Sequence, residues 1–157
     1  MESGYKPDLS KGVLIHGGGW KKLVTEAISP AEYKKALNDV CGIFPENVHD
    51  YYGMVEQTGT IYMECKCGIC TSSCFSDVLI RRPEDFSLAD RGEKGLIEVV
   101  SILPQSYPGH ILLTEDEGMI LGEDDCPCGL KGKYFKIEGR IKNAEIRGCS
   151  DTYAAKY

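Results

Sequence analysis

Two short cysteine clusters far apart in the sequence, Cys65-Lys66-Cys67-Gly68-Ile69-Cys70 and Cys126-Pro127-Cys128-Gly129, constrain this chain most. If both serve one tetrahedral ion, their segments must fold back on each other, and every architecture that leaves them apart is excluded. Thiolates sit about 2.3 Å from zinc and converge most readily from tight turns, for which a close cysteine pair with Gly or Pro at its bend is the usual building block. The C-x-x-C spacing of Cys67 and Cys70 is the more standard pair, and Cys65 and Cys74 are additional candidates. Four of Cys65, Cys67, Cys70, Cys126 and Cys128 are expected to hold a structural zinc ion. Small buried thiols and an iron-sulfur cluster are the alternatives. Nothing near these cysteines offers the open coordination position and base that metal-assisted hydrolysis needs, so the ion's expected work is holding loops together.

The 157 residues, 42% hydrophobic and 27% charged, predict one globular domain rather than disorder. Eighteen basic against 24 acidic side chains, a net charge of −6, argue against a phosphate-backbone-binding surface and so against nucleic acid. No apolar run approaches the roughly 18 residues that span a bilayer. The start of the chain lacks a charged segment followed by a long apolar one, so no secretory signal is read and a cytoplasmic location is expected. There, eight cysteines serve as ligands, reactive thiols or buried residues more readily than as disulfides.

The rest reads as continuous α/β (α+β) domain without repeats. Gly12-Val13-Leu14-Ile15-His16 is an apolar run halted at Gly17-Gly18-Gly19, the pattern of a buried strand ending in a tight loop. Ser29-Pro30-Ala31-Glu32 is a capping box with proline at the first helical position. Tyr33, Leu37, Val40 and Cys41 follow at helical spacing, up to Gly42. Asn47 to Met54 suits a second strand, so residues 1–58 are expected to form a βαβ unit with parallel pairing. Short runs at 60–63, 78–80, 95–103, 110–114 and 134–137 predict a mostly antiparallel, zinc-bearing part over 59–137. Glu123-Asp124-Asp125 reads as a solvated turn, and 138–157 as a closing motif with a tail. His16, His49 and His110 have no partners that would make a hydrolytic triad.

Four segments stand in a telling order: His16 to Lys21, Asp50-Tyr51-Tyr52-Gly53-Met54-Val55-Glu56, Thr114-Glu115-Asp116, and Glu138-Gly139-Arg140-Ile141-Lys142 up to Ile146-Arg147-Gly148. With the stretch from Gly139 to Asp151 they resemble the acyl-protein synthetase family of bacterial bioluminescence, also called long-chain-fatty-acid luciferin-component ligase, within the adenylate-forming acyl ligases. The phenylacetate-CoA ligases come second. The resemblance runs from about residue 10 to the end and implies the C-terminal portion of that fold. It implies ATP or AMP and Mg2+ as ligands and a fatty or other carboxylic acid as substrate. By it, Gly17, Gly18 and Gly19 would lie along the adenine, with Trp20 stiffening the loop edge. Tyr52, beside Gly53, would stack on the purine, and Asp50 would accept from its amine. Glu56 would hold magnesium, Asp116 and Arg140 would bind the ribose, and Lys142 would complete the nucleotide set. Cys149, beside Arg147 and near Lys142, resembles the family's cysteine that receives the acyl group from AMP. Nearby cations favour its thiolate, and an acyl-CoA-reductase-like partner would then reduce the thioester.

The sequence departs from the family pattern in three places. Val55 replaces a threonine that meets the α-phosphate. Ile111, Leu112 and Leu113 replace the arginine and tyrosine ahead of Thr-x-Asp. The Ser/Thr/Gly-rich phosphate loop that opens this fold is missing, so the N-terminal half of the parent fold is expected to be absent. A separately encoded half would complete the enzyme, and an exposed apolar seam or self-association covering one would fit that view. The other reading of the chain is a non-catalytic, zinc-stabilised module that binds a nucleotide or a protein.

Overall fold

The computed structural model describes residues 7–18 and 26–141. The apolar run near the start forms β1 (Leu14–Gly17), and Ser29 caps α1 (Pro30–Cys41). Ser29 Oγ accepts from the Glu32 amide at 3.2 Å, while Glu32 Oε2 accepts from the Ser29 amide at 2.8 Å. These two bonds satisfy donors that the first helical turn would otherwise leave without partners. Gly42 ends the helix in a left-handed conformation, its N–H donating to Asn38. The chain returns as β2 (Val48–Tyr52), parallel to β1, and β3 (Tyr62–Met63) adds antiparallel to β2. The small sheet therefore runs β1-β2-β3 and contains the expected βαβ unit.

The remaining strands are β4 (Cys70–Thr71), β5 (Ser76–Arg81), β6 (Gly95–Ser101), β7 (Ile111–Glu123) and β8 (Lys133–Arg140), in the order β4-β8-β7-β6-β5 and antiparallel throughout. The core lies between the two sheets. Tyr62 of β3 is buried with Val78, Ile80, Ile97, Val99 and Phe135, and its ring meets Phe135 edge-on at 5.6 Å. The polar groups sealed there are satisfied. Tyr62 Oη donates to Gln57 Oε1 at 3.1 Å, Gln57 Nε2 donates to the Gly109 carbonyl at 3.0 Å, and Thr60 Oγ1 bonds Ser101 Oγ at 2.6 Å. Each would cost free energy if buried without a partner.

Strand pairing settles which way the small sheet faces. Leu14 stands opposite Val48, His16 opposite Asp50 and Tyr52 opposite Tyr62, so these six share a face. Helix α1 covers one end of that face, with Tyr33 and Leu37 packed against Val48 and Leu14. The large sheet covers the other end, at Tyr52 and Tyr62. On the opposite face the Tyr51 ring lies over Gly17, where a Cβ would fall 2.7 Å from it, and Ile15 is 56% exposed.

Candidate functional site

Tyr52, Asp116 and Arg140 come together from three strands. Asp116 and Arg140 are paired across β7 and β8. Tyr52 Oη donates to Asp116 Oδ2 at 2.8 Å, and Arg140 Nε donates to Asp116 Oδ1 at 3.3 Å. Thr114 shapes the bend before the aspartate, its Oγ1 accepting from the Asp116 amide at 3.1 Å and donating to the Ile97 carbonyl at 2.8 Å. Burial, then the Asp116 charge, drive the Tyr52 phenol well above its usual range, so it keeps its proton and remains a donor. The Tyr52 ring packs against Tyr62 and Phe135. The aromatic ring against the glycine segment is Tyr51, because successive strand residues face opposite ways.

Asp50 belongs to a second group. His16 Nδ1 lies 3.5 Å from Asp50 Oδ1, and the His16 ring meets Tyr33 edge-on at 5.0 Å. Glu64 Oε2 accepts from both the Asp50 amide and Lys34 Nζ at 3.0 Å. Partial burial raises the Asp50 carboxyl above its usual range, against the attraction of His16, with the nearby Glu64 charge adding to the rise. Sequence reasoning missed Glu64 and Lys34, which belong to no motif that would single them out. Glu56 is exposed on a single 3-10 turn, Val55–Gln57, beside Val55, which is 78% exposed. Gly18 has a left-handed backbone (φ 91°) with open space where a Cβ would stand, and Gly53 lies close under the Thr60 carbonyl. Gly19, Trp20, Lys142 and Cys149 lie outside the described residues.

The cysteines resolve into one cluster. The sulfurs of Cys65, Cys67, Cys126 and Cys128 all lie within 4.8 Å of one another. Cys70, which the C-x-x-C spacing had favoured, falls outside it. It sits on β4 opposite Phe135, packed against the main core, and burial pushes its thiol up to about 12. Cys74 is exposed elsewhere.

A family model described as acyl-protein synthetase, LuxE, matches residues 5–157. The chain belongs to the LuxE acyl-protein synthetase family. Among curated proteins, this LuxE-family chain is similar to the long-chain-fatty-acid–luciferin-component ligase of Vibrio harveyi, 28% identical over 145 residues. The match covers 87% of this chain and 35% of that protein, so the chain spans about a third of the relative's length. Solved structures with a similar fold include an open conformation of 2-hydroxyisobutyryl-CoA ligase in complex with 2-HIB-AMP and CoA, at a TM-score of 0.62 and 19% identity over 83% of this chain and 28% of that one. They also include the long-chain-fatty-acid-CoA ligase FadD1 from Archaeoglobus fulgidus (TM-score 0.57, 16% identity, 89% of this chain and 30% of that one). Apo MatB from Rhodopseudomonas palustris is a third (TM-score 0.53, 20% identity, 83% and 26%). At these identities the likeness is one of fold. It matches the mixed α/β architecture of this LuxE-family chain to part of an adenylate-forming ligase. No helix among the described residues is long and apolar enough to cross a membrane.

Proposed function

We propose that this LuxE-family chain is the C-terminal portion of an ATP-dependent fatty-acyl ligase, which joins a carboxylate to AMP and passes the acyl group to a thiol. The observation that carries the reading is the meeting of Tyr52, Asp116 and Arg140. Three motif residues distant in sequence share one hydrogen-bonded group across two sheets. In this reading Asp116 and Arg140 receive the ribose, Gly17 to Gly19 with Trp20 border the adenine, and Asp50 accepts from its amine. Tyr52, packed beneath against Tyr62 and Phe135, serves through its hydroxyl, which fixes Asp116, and Gly53 and Lys142 complete the set. Glu56 is the ligand for magnesium, which supplies positive charge to the phosphates. Its exposed carboxylate suits that assignment. Cys149 is the acyl acceptor, chosen because a partly ionised thiol is a strong nucleophile at neutral pH.

The four clustered thiols are a structural zinc site, since four protein ligands leave a tetrahedral ion no open position. Residues 1–58, 59–137 and 138–157 act as one unit, completed by an N-terminal ligase half. Among the described residues, the β1 side of one face of the small sheet stands exposed, which supports this, because parallel strands are ordinarily covered on both faces. Ile15 on that face, with Val13 beside it, is the seam that this half would cover.

The test is competition. AMP and an acyl-adenylate analogue should displace each other, with NMR shift changes centred on Tyr52, Asp116 and Gly17, and Asp116→Ala should weaken both. Independent binding, or shifts centred elsewhere, overturns the reading. Pyrophosphate–ATP exchange at a normal enzymatic rate by this chain alone would refute the need for a second half.

A further inference from the structure

The four clustered thiols come from one sequence device used twice. Cys65-Lys66-Cys67-Gly68 and Cys126-Pro127-Cys128-Gly129 are both C-x-C-G turns. In each, the glycine N–H donates to the carbonyl of the first cysteine at 2.9 Å, Gly68 to Cys65 and Gly129 to Cys126. Both glycines are left-handed, at φ 74° and 84°, a conformation that other residues adopt at a cost. The Cys67 amide also points at Cys65 Sγ, 3.3 Å away.

A supporting shell fixes the second turn. Asp125, read from sequence as part of a solvated turn, accepts from Tyr134 Oη at 2.8 Å through Oδ1 and from Arg91 at 3.0 Å through Oδ2. Tyr134 is itself buried against Cys65 and Cys126. Gly122 leaves room for this pair, since a Cβ there would fall 2.3 Å from Tyr134 Oη and 2.4 Å from Asp125 Oδ1.

We propose that the two C-x-C-G turns, and not the C-x-x-C pair, form a closed tetrathiolate zinc centre that clamps the small sheet to the β7–β8 hairpin. The proposal rests on the zinc reading of the four clustered thiols above and adds the paired-turn construction of the site and its mechanical role. Four bonds of about 2.3 Å in a tetrahedron place the sulfurs roughly 3.8 Å apart. Cys65 and Cys126 are 3.9 Å apart and Cys126 and Cys128 3.2 Å, which bracket that value. One turn leaves β3 through Glu64, whose carboxylate holds the Asp50 amide and Lys34. The other closes β7, the strand that carries Asp116. The ion therefore joins the residue next to Glu64 to the end of the Asp116 strand.

Metal analysis and hydrogen exchange on the whole chain test both parts. Wild type, Cys70→Ser and Cys74→Ser should each carry one equivalent of zinc, and Cys67→Ser and Cys128→Ser should lose it. Tyr134→Phe keeps all four thiols but loses the bond to Asp125, and should weaken zinc binding roughly 10- to 100-fold. In Cys128→Ser and in chelated wild type, amides of residues 62–71 and 124–134 should exchange faster while those of α1 do not change, which also shows that the variant is folded. Less than a tenth of an equivalent in wild type sinks the zinc reading itself. Zinc kept by Cys128→Ser, or lost by Cys70→Ser, overturns the ligand set. Zinc lost with exchange unchanged over both segments overturns the clamp.

Discussion

Replacing Tyr52 with phenylalanine removes one oxygen and leaves the packing alone. The ring keeps its neighbours Tyr62 and Phe135 at 6.1 and 6.2 Å, so the loss is one hydrogen bond to a carboxylate. That bond is 2.8 Å long, and the Asp116 side chain is 19% exposed. A hydrogen bond to a charged group is worth about 1.5–3 kcal/mol. The lower end is expected here, because Arg140 continues to hold the other oxygen. Urea denaturation followed by circular dichroism measures the loss, and a double-mutant cycle with Asp116→Ala, which removes the acceptor, isolates the pair. Coupling should be about 1 kcal/mol or more, whereas Tyr52→Phe with the distant Ser29→Ala should add to within about 0.5 kcal/mol. Coupling indistinguishable from that of the distant pair would refute the contact. The pH dependence has a definite sign. The phenol is raised above its ordinary 10.0 in the folded chain, so the folded state binds its proton more tightly. The advantage of wild type over Tyr52→Phe is therefore constant through neutral pH and declines as pH rises past 10.0.

Three other outcomes are expected. Gly109→Ala would put a Cβ 2.1 Å from the Glu56 carbonyl, and because backbone yields poorly it should cost about 1–3 kcal/mol in chemical denaturation; unchanged stability would contradict that close approach. With burial pushing its thiol up to about 12, Cys70 stays protonated at pH 8, so mass spectrometry should find exposed Cys74 alkylated by iodoacetamide long before it; equal labelling rates would contradict the burial. Asp50→Asn should raise the melting temperature at pH 7, since the raised carboxyl makes the ionised form a folding penalty. That gain should shrink as pH falls through the raised value and vanish below 3.8, and a constant difference across this window would count against the assignment.

What could be read from sequence followed from local chemistry. Helix α1 was legible to the residue because its start and its end are both written in side chains, Ser29 with Glu32 and then Gly42. Strand β7 was legible only for its first few residues, because Glu115, Asp116 and Glu117 stand in succession and the alternation itself breaks after Asp116, where irregularities at Glu117/Gly118 and Ile120/Gly122 shift the pairing with β8. The Tyr52, Asp116 and Arg140 positions were nameable from motif order, yet their meeting depends on how two sheets pack. That Tyr51 rather than Tyr52 lies over Gly17 depends on strand register, which composition does not encode. The thiol cluster was legible as a cluster but not in its membership. C-x-C-x-x-C offers two pairings, and only the course of the chain into β4 turns Cys70 away.

Gln57 is 1% exposed and bonded through both ends of its amide, to Tyr62 and to Gly109, while its neighbour Glu56 stands in solvent. Fixing one residue's backbone costs about 1–2 kcal/mol in entropy, and here that ordering was completed when the core closed. In the magnesium role proposed for Glu56, an arriving cation would have only the rotamers of one exposed side chain left to freeze, beside a neighbour already fixed in the core, instead of a loop that must first be recruited.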